Sequence, residues 1–91
     1  MSISRKNLSI VIVTFKSKAV IHNCINSIGS EIKIIIVENS SDFKFKQELE
    51  AKYKNVYCML SSENLGMGKG NNVGIKKTKT DFVLILNPDI V

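Results

Sequence analysis

The chain has 91 residues, enough for one small domain with one core and too few for a second. It is 44% hydrophobic and 23% charged with a single proline, a balance that excludes a disordered or linker-like chain. Thirteen Lys and Arg against eight Asp and Glu give +5 and a pI near 9.4, which suits an anionic partner such as a nucleotide diphosphate, nucleic acid or an acidic membrane surface without choosing among them. Four strands are predicted, over Leu8–Phe15, Ile32–Val37, Val56–Leu60 and Phe82–Leu86. Three contain near-continuous aliphatic runs, Ile10 to Val13, Ile34 to Val37 and Phe82 to Leu86, so they need cover on both faces. Between the first two, Val20, Ile21, Cys24, Ile25 and Ile28 form a helical stripe, with Ser17 placed to cap its start and Gly29 its end. His22 falls on the opposite, exposed face and is given no role. A second helix follows Asp42, where Phe45, Leu49 and Tyr53 recur four residues apart, and a third runs from near Gly70 to about Lys77. The densest lysine group, Lys76, Lys77 and Lys79, then sits at a helix end, where cations favour the dipole.

Strand and helix alternate along the whole chain, and such connections between parallel strands are right-handed crossovers. The expected fold is a three-layer α/β/α sandwich on a mainly parallel four-stranded, Rossmann-like sheet. Cys24 and Cys58 lie among apolar residues with no metal-knuckle or redox spacing, and read as reduced, buried thiols. No apolar stretch approaches the roughly 20 residues of a membrane-crossing helix. The basic start, Met1 to Lys6, is not followed by an unbroken apolar run with a cleavage site. A cytoplasmic protein, or one peripheral at the inner face of the membrane, is the expectation.

In an open parallel sheet, ligands bind beyond the carboxyl ends of the strands, where loops and helix N-termini offer unpaired N–H groups. All four predicted ends carry polar side chains: Thr14-Phe15-Lys16-Ser17, Glu38-Asn39-Ser40-Ser41-Asp42, Ser61-Ser62-Glu63-Asn64 with the glycine-rich loop, and Asn87-Pro88-Asp89. Each cluster singly is explained as well by helix capping or a turn, and their recurrence at one sheet edge is what favours a site. Glu38, directly after the apolar run, must sit at the rim and can accept bonds from a nucleobase or ribose. The stretch from Asn64 to Gly74 is not a Walker loop, because it lacks Gly-Lys-Ser or Gly-Lys-Thr. Its Gly-x-Gly-x-x-x-Gly, Gly68 to Gly74, is a loose dinucleotide fingerprint, but a polar loop separates it from Leu60 where a tight turn is required. Asp89 with Asn87 is a thin ligand set for a hard divalent cation unless phosphate oxygens complete it.

In order and spacing, Leu8 to Phe15 with Lys16 and Ser17, Val37 to Asp42, Asn64 to Ile75 and Leu84 to Asp89 resemble family 2 glycosyltransferases over nearly the whole chain. The resemblance implies a GT-A fold, a nucleoside-diphosphate sugar donor, UDP- or dTDP-linked, and Mg²⁺ or Mn²⁺. It makes residues 1–91 a nucleotide-sugar-binding domain, a GT-A protein truncated before its acceptor half. It places Thr14 and Phe15 beside the nucleoside and Glu38, with Asn39 next to it, at the acidic base-binding position, where aspartate is commoner. It has Asn64, Gly66 and Asn72 shape the loop and helix next to the nucleotide. Asn87-Pro88-Asp89 becomes the local Asp-x-Asp motif, with Asp89 the metal ligand and Asn87 its weaker neighbour, a substitution similar to the rhamnosyltransferase branch. The metal then neutralises charge on the departing diphosphate as a hydroxyl of a glycan, lipid or other acceptor attacks the anomeric carbon. That attack needs a general base, expected beyond Val91, so the chain is a donor module inactive alone. The alternatives are a non-catalytic nucleotide-binding domain and, below it, a dinucleotide-binding oxidoreductase fragment. A nucleic-acid module ranks lowest, because the tyrosines and phenylalanines do not interleave with a basic stripe. Ending at Val91 is expected to leave the last strand's edge uncovered and to invite self-association.

Overall fold

The computed structural model describes residues 7–14, 18–40, 42–61, 74–78, 80 and 82–86. The elements are β1 (Leu8–Thr14), α1 (Lys18–Ile28), β2 (Lys33–Glu38), α2 (Phe43–Lys52), β3 (Val56–Leu60) and β4 (Phe82–Leu86). The four strands form one sheet in the order β3-β2-β1-β4, with all three pairings parallel. The predicted strands are therefore present, with β2 displaced one residue towards its carboxyl end because Thr14 pairs with Glu38 and carries the ladder that far.

The burial of β1 and β2 follows from their aliphatic runs. Side chains alternate between sheet faces, so Ile10 and Ile12 of β1, Ile34 and Ile36 of β2 and Val56 and Cys58 of β3 share one face. There they pack with Ile21, Cys24 and Ile25 of α1 and Phe45 and Leu49 of α2 in a single buried cluster. The other face carries Val11, Val13, Ile35 and Val37, also buried. Residues 74–76 are helical, and Gly74 lies against Val11 and Val37 there. Crossover handedness explains the division. From β1 to β3 the chain steps in one direction, which puts α1 and α2 together; it then reverses past β1 to reach β4, which puts the third connection opposite.

Local chemistry sets the helix ends. Gly29 follows α1 at φ +94°, a left-handed conformation that suits glycine, and its N–H donates to the Ile25 carbonyl at 3.0 Å. Asp42 caps α2, its Oδ1 accepting from the Phe45 N–H at 3.1 Å. Ser17, the expected cap of α1, lies outside the described residues. The expected α1 stripe is buried at Ile21, Cys24 and Ile25 and half-buried at Val20 and Ile28. His22 departs from its exposed, idle reading. It is half-buried, and its Nδ1 lies 2.9 Å from the Tyr53 hydroxyl at the end of α2. The polar face of α1 is turned partly towards α2, which the periodicity of one helix does not reveal. Cys24 and Cys58 are free and buried; burial pushes the Cys58 thiol up to about 12, Lys46 opposing and Glu50, Glu38 and Asp42 adding.

The two sheet edges differ. At the β3 edge, α2 closes the outward backbone of Cys58: the Glu50 carboxylate accepts its N–H at 2.9 Å and Lys46 Nζ donates to its carbonyl at 2.5 Å. Lys46 and Glu50 also bond each other at 2.8 Å, and Lys46 lies 4.8 Å from the Tyr57 ring centre. This pair stands in for the missing neighbour strand and blunts the edge. At the other edge β4 pairs only with β1 among the described residues, and Leu84 and Ile85 are 47% and 38% exposed.

Two outcomes follow from these contacts. A Cβ on Gly74 would sit 2.4 Å from Val11 Cγ1, so Gly74→Ala should cost about 1–3 kcal/mol by overpacking, read by urea denaturation. Burial raises the Glu50 pKa, but hydrogen bonds from Lys46 and the Cys58 N–H, with the Lys46 charge, outweigh it and hold the carboxyl below its usual range. A depressed carboxyl stabilises the fold above its unfolded pKa of about 4.3 and loses that contribution as pH falls through the folded value. Glu50→Gln should therefore be less stable than the parent at neutral pH, with the gap closing below about pH 4 in paired denaturation curves.

Candidate functional site

Reversal of strand order beside β1 creates a switch point at the carboxyl edge of the sheet, the place where open α/β sheets bind ligands. Thr14 ends β1 and Glu38 ends β2, and the register sets them side by side, with Leu60 of β3 next in the row. Both continue the face of Ile12 and Ile36, the face on which α1 and α2 pack. Backbone pairing extends past the strands: the Asn39 N–H donates to the Thr14 carbonyl at 2.8 Å and the Ser61 N–H to the Glu38 carbonyl at 2.9 Å. The rim is thus a continuation of the rigid sheet.

Its side chains are enclosed. Glu38 is 0% exposed, Thr14 4% and Asn39 5%. A buried carboxylate must be satisfied by hydrogen bonds, and Ser40 supplies one: its hydroxyl donates to Glu38 Oε2 in a short contact and accepts the Asp42 N–H at 3.3 Å. Ser40 therefore joins the rim carboxylate to the cap of α2 in one chain of bonds from Glu38 to Phe45. Thr14 differs. Its Oγ1 is buried and has no hydrogen-bond partner among the described residues, a rare condition for a native polar atom.

Of the residues singled out from the sequence, Thr14, Glu38 and Asn39 are brought together at this rim. Phe15, Asn64, Gly66, Asn72, Asn87 and Asp89 lie outside the described residues. Glu38 occupies the expected rim position but is sealed by protein and committed to Ser40, so Ser40 and Asp42, both half-buried, are the more accessible members of that turn. Sequence reasoning treated Ser40 as part of a capping turn; the spacing of a hydroxyl two residues after an acid was the available signal for its bridging role. Among the described residues no group of three or more His, Cys, Asp or Glu side chains is placed to hold a metal ion. Two surface concavities, of about 390 and 420 Å³, lie at the amino-terminal edge of the sheet, away from this rim.

The profile of glycosyl transferase family 2 matches residues 9–91. The chain belongs to that family. It is also similar to the low-salt glycan biosynthesis hexosyltransferase of Haloferax volcanii, 33% identical over 88 residues, which are 92% of this chain and 28% of the relative. The chain therefore spans little more than a quarter of the length of that relative. Family membership agrees with the all-parallel, Rossmann-like sheet and the β3-β2-β1-β4 order seen here. No helix among the described residues is long and apolar enough to cross a membrane.

The lone Thr14 hydroxyl offers a separation of stability from binding. Because its buried hydroxyl has no hydrogen-bond partner among the described residues, Thr14→Val should leave the unfolding free energy unchanged or raise it by up to about 1–3 kcal/mol. Ser40→Ala, by contrast, strips a bond from a buried carboxylate and should cost about 1–3 kcal/mol. Urea titrations of both variants check the contrast.

Proposed function

We propose that the chain is the donor-binding part of a glycosyltransferase, holding a nucleoside-diphosphate sugar, UDP- or dTDP-linked, at the switch point between β1 and β4. Membership of family 2 supports sugar transfer, and a named hexosyltransferase among its relatives supports it further. The observation that carries the placement is the polar row of Thr14, Glu38 and Asn39 where the paired strands β1 and β2 end, beside the reversal of strand order, with the half-buried Ser40 and Asp42 its accessible members.

In this reading Thr14 and Phe15 face the nucleoside. Glu38 is held by Ser40 and fixes the shape of the turn from Asn39 to Asp42, which presents the polar groups the base meets. Asn64, Gly66 and Asn72 flank the nucleotide, and Asn87 with Asp89 lies next to the diphosphate. A divalent ion, Mg²⁺ or Mn²⁺, would supply neutralisation of the charge that develops on the departing diphosphate. The acceptor is a hydroxyl on a glycan, lipid or other molecule, and no residue of this chain is assigned as its general base. A non-catalytic nucleotide-binding domain would use the same rim without needing Asp89.

Calorimetric titration of the chain with UDP and with dTDP, each with and without Mn²⁺, tests the reading. Binding strengthened by Mn²⁺, weakened about tenfold or more by Asp89→Ala and reduced by Thr14→Val, is the expected result. Metal-independent binding that Asp89→Ala leaves intact would replace it with the non-catalytic reading. Preference for NAD or NADP over both diphosphates would move the chain to the oxidoreductase class.

A further inference from the structure

The net charge of +5 is not gathered at the rim just described, where the described ionisable groups are the carboxylates Glu38 and Asp42. Lysines collect at the opposite, amino-terminal edge of the sheet. Lys33 opens β2, Lys54 lies in the turn from α2 to β3, and Lys77 follows the helical residues 74–76. All three line one concavity of about 390 Å³ together with Ser9, Asn55, Tyr57 and Thr78. That volume falls within the roughly 300–1,000 Å³ typical of small-molecule sites. Five steps of extended strand lead from Ser9 to Thr14, roughly 16 Å at the usual rise, so this concavity is distinct from the donor rim.

Helix ends explain part of the lysine distribution, since cations complement the carbonyl end of a helix. That explanation covers Lys52 and Lys76, which lie in helical turns, and Lys77, whose N–H closes the last turn on the Gly74 carbonyl at 3.0 Å. It does not cover Lys33, which begins a strand, or Lys54, which lies beyond the α2 cap at Tyr53. Among the described residues none of the three lysines has a carboxylate partner, the ion pair of α2 being Lys46 with Glu50. Glu31, in the turn before β2, is at the same end but does not line the concavity and has an interaction of its own. The neutral donors are mostly committed: Asn55 Nδ2 donates to the Gly29 and Ile32 carbonyls at 3.0 and 2.7 Å, and Thr78 Oγ1 to the Ile75 carbonyl at 2.8 Å. The three lysines, brought together from three segments of the chain, line one hollow without a carboxylate partner among the described residues, and like charges so gathered repel unless an anion joins them.

We infer that the concavity lined by Lys33, Lys54 and Lys77 is a second anion site, built for a phosphate or diphosphate group carried by a soluble ester or by a lipid headgroup. The three cations supply charge, and the exposed Tyr57 is part of the lining. Phosphate fits better than a lone carboxylate because it offers several acceptor oxygens and up to two charges to three separate donors. The site does not rest on the donor-binding proposal, since its residues and its location are different.

Titration of the isotope-labelled chain with inorganic pyrophosphate at low salt, followed by backbone amide shifts, locates the site. Saturable shifts at Lys33 and at Lys54 to Tyr57 are expected, with affinity falling at least tenfold in Lys33→Gln/Lys54→Gln and no more than about twofold in Lys44→Gln/Lys76→Gln, which removes equal charge outside the concavity. Arginine at positions 33 and 54 should preserve binding. Co-sedimentation with phosphatidylglycerol vesicles, against phosphatidylcholine alone, separates the sources: lysine-dependent vesicle binding assigns a lipid headgroup, and pyrophosphate binding without it assigns a soluble phosphate. Non-saturating shifts, shifts confined to Thr14, Glu38 and Asn39, or equal losses in the two glutamine variants would overturn the inference. The second of these would leave the donor site standing, so the two proposals fail separately.

Discussion

The parallel pairing of β1 with β2, buried on both faces, is the constraint on which the rest of the molecule depends. Six register pairs from Ser9–Lys33 to Thr14–Glu38 lock two aliphatic strands together, and a one-residue slip would turn every side chain to the wrong face. That lock fixes which residues meet α1 and α2 and which meet Gly74. It also decides that a threonine and a glutamate, not two aliphatic residues, stand together where the sheet stops. The candidate site is in this sense the last step of the core and inherits its rigidity.

Much of this was legible in the residues. Unbroken runs such as Ile34 to Val37 announce strands covered on both sides, and the Gly29 and Asp42 signals mark helix ends whose geometry is local. The grouping of Thr14, Glu38 and Asn39 also follows from strand ends alone, because parallel strands deliver their carboxyl termini to one edge. What could not be read were interactions made between elements. Lys46 and Glu50 look like an ordinary i,i+4 surface pair, and only the position of α2 over the β3 edge gives them the Cys58 backbone as a partner. The partner of His22 is hidden for the same reason: Tyr53 is 31 residues away in sequence. The burial of Glu38 likewise depends on how Ser40 turns back towards it, which composition does not record.

Charge in this small domain is sorted by the direction of the sheet. Parallel strands with antiparallel helices put helix carbonyl ends at the amino-terminal edge and helix amide ends at the carboxyl edge, so each edge has its own electrostatic character. Lysines beside the former and carboxylates beside the latter both oppose the local backbone field. Lys33 and Lys54, which stand outside helical turns, go beyond that compensation, which is why the overall basicity of the chain need not describe the nucleotide rim at all.

The unequal treatment of the two margins of the sheet gives the protein a polarity. A plugged margin at β3 cannot accept another strand without breaking the Lys46–Glu50 clasp, whereas β4 keeps its backbone row open among the described residues and its leucine and isoleucine in water. Among the described residues the β4 flank, beside the reversal in strand order, is therefore the side open to another strand. Growth of the sheet would then enlarge the walls of the ligand crevice while leaving the α2 flank unchanged, so architecture and recognition would expand from the same line.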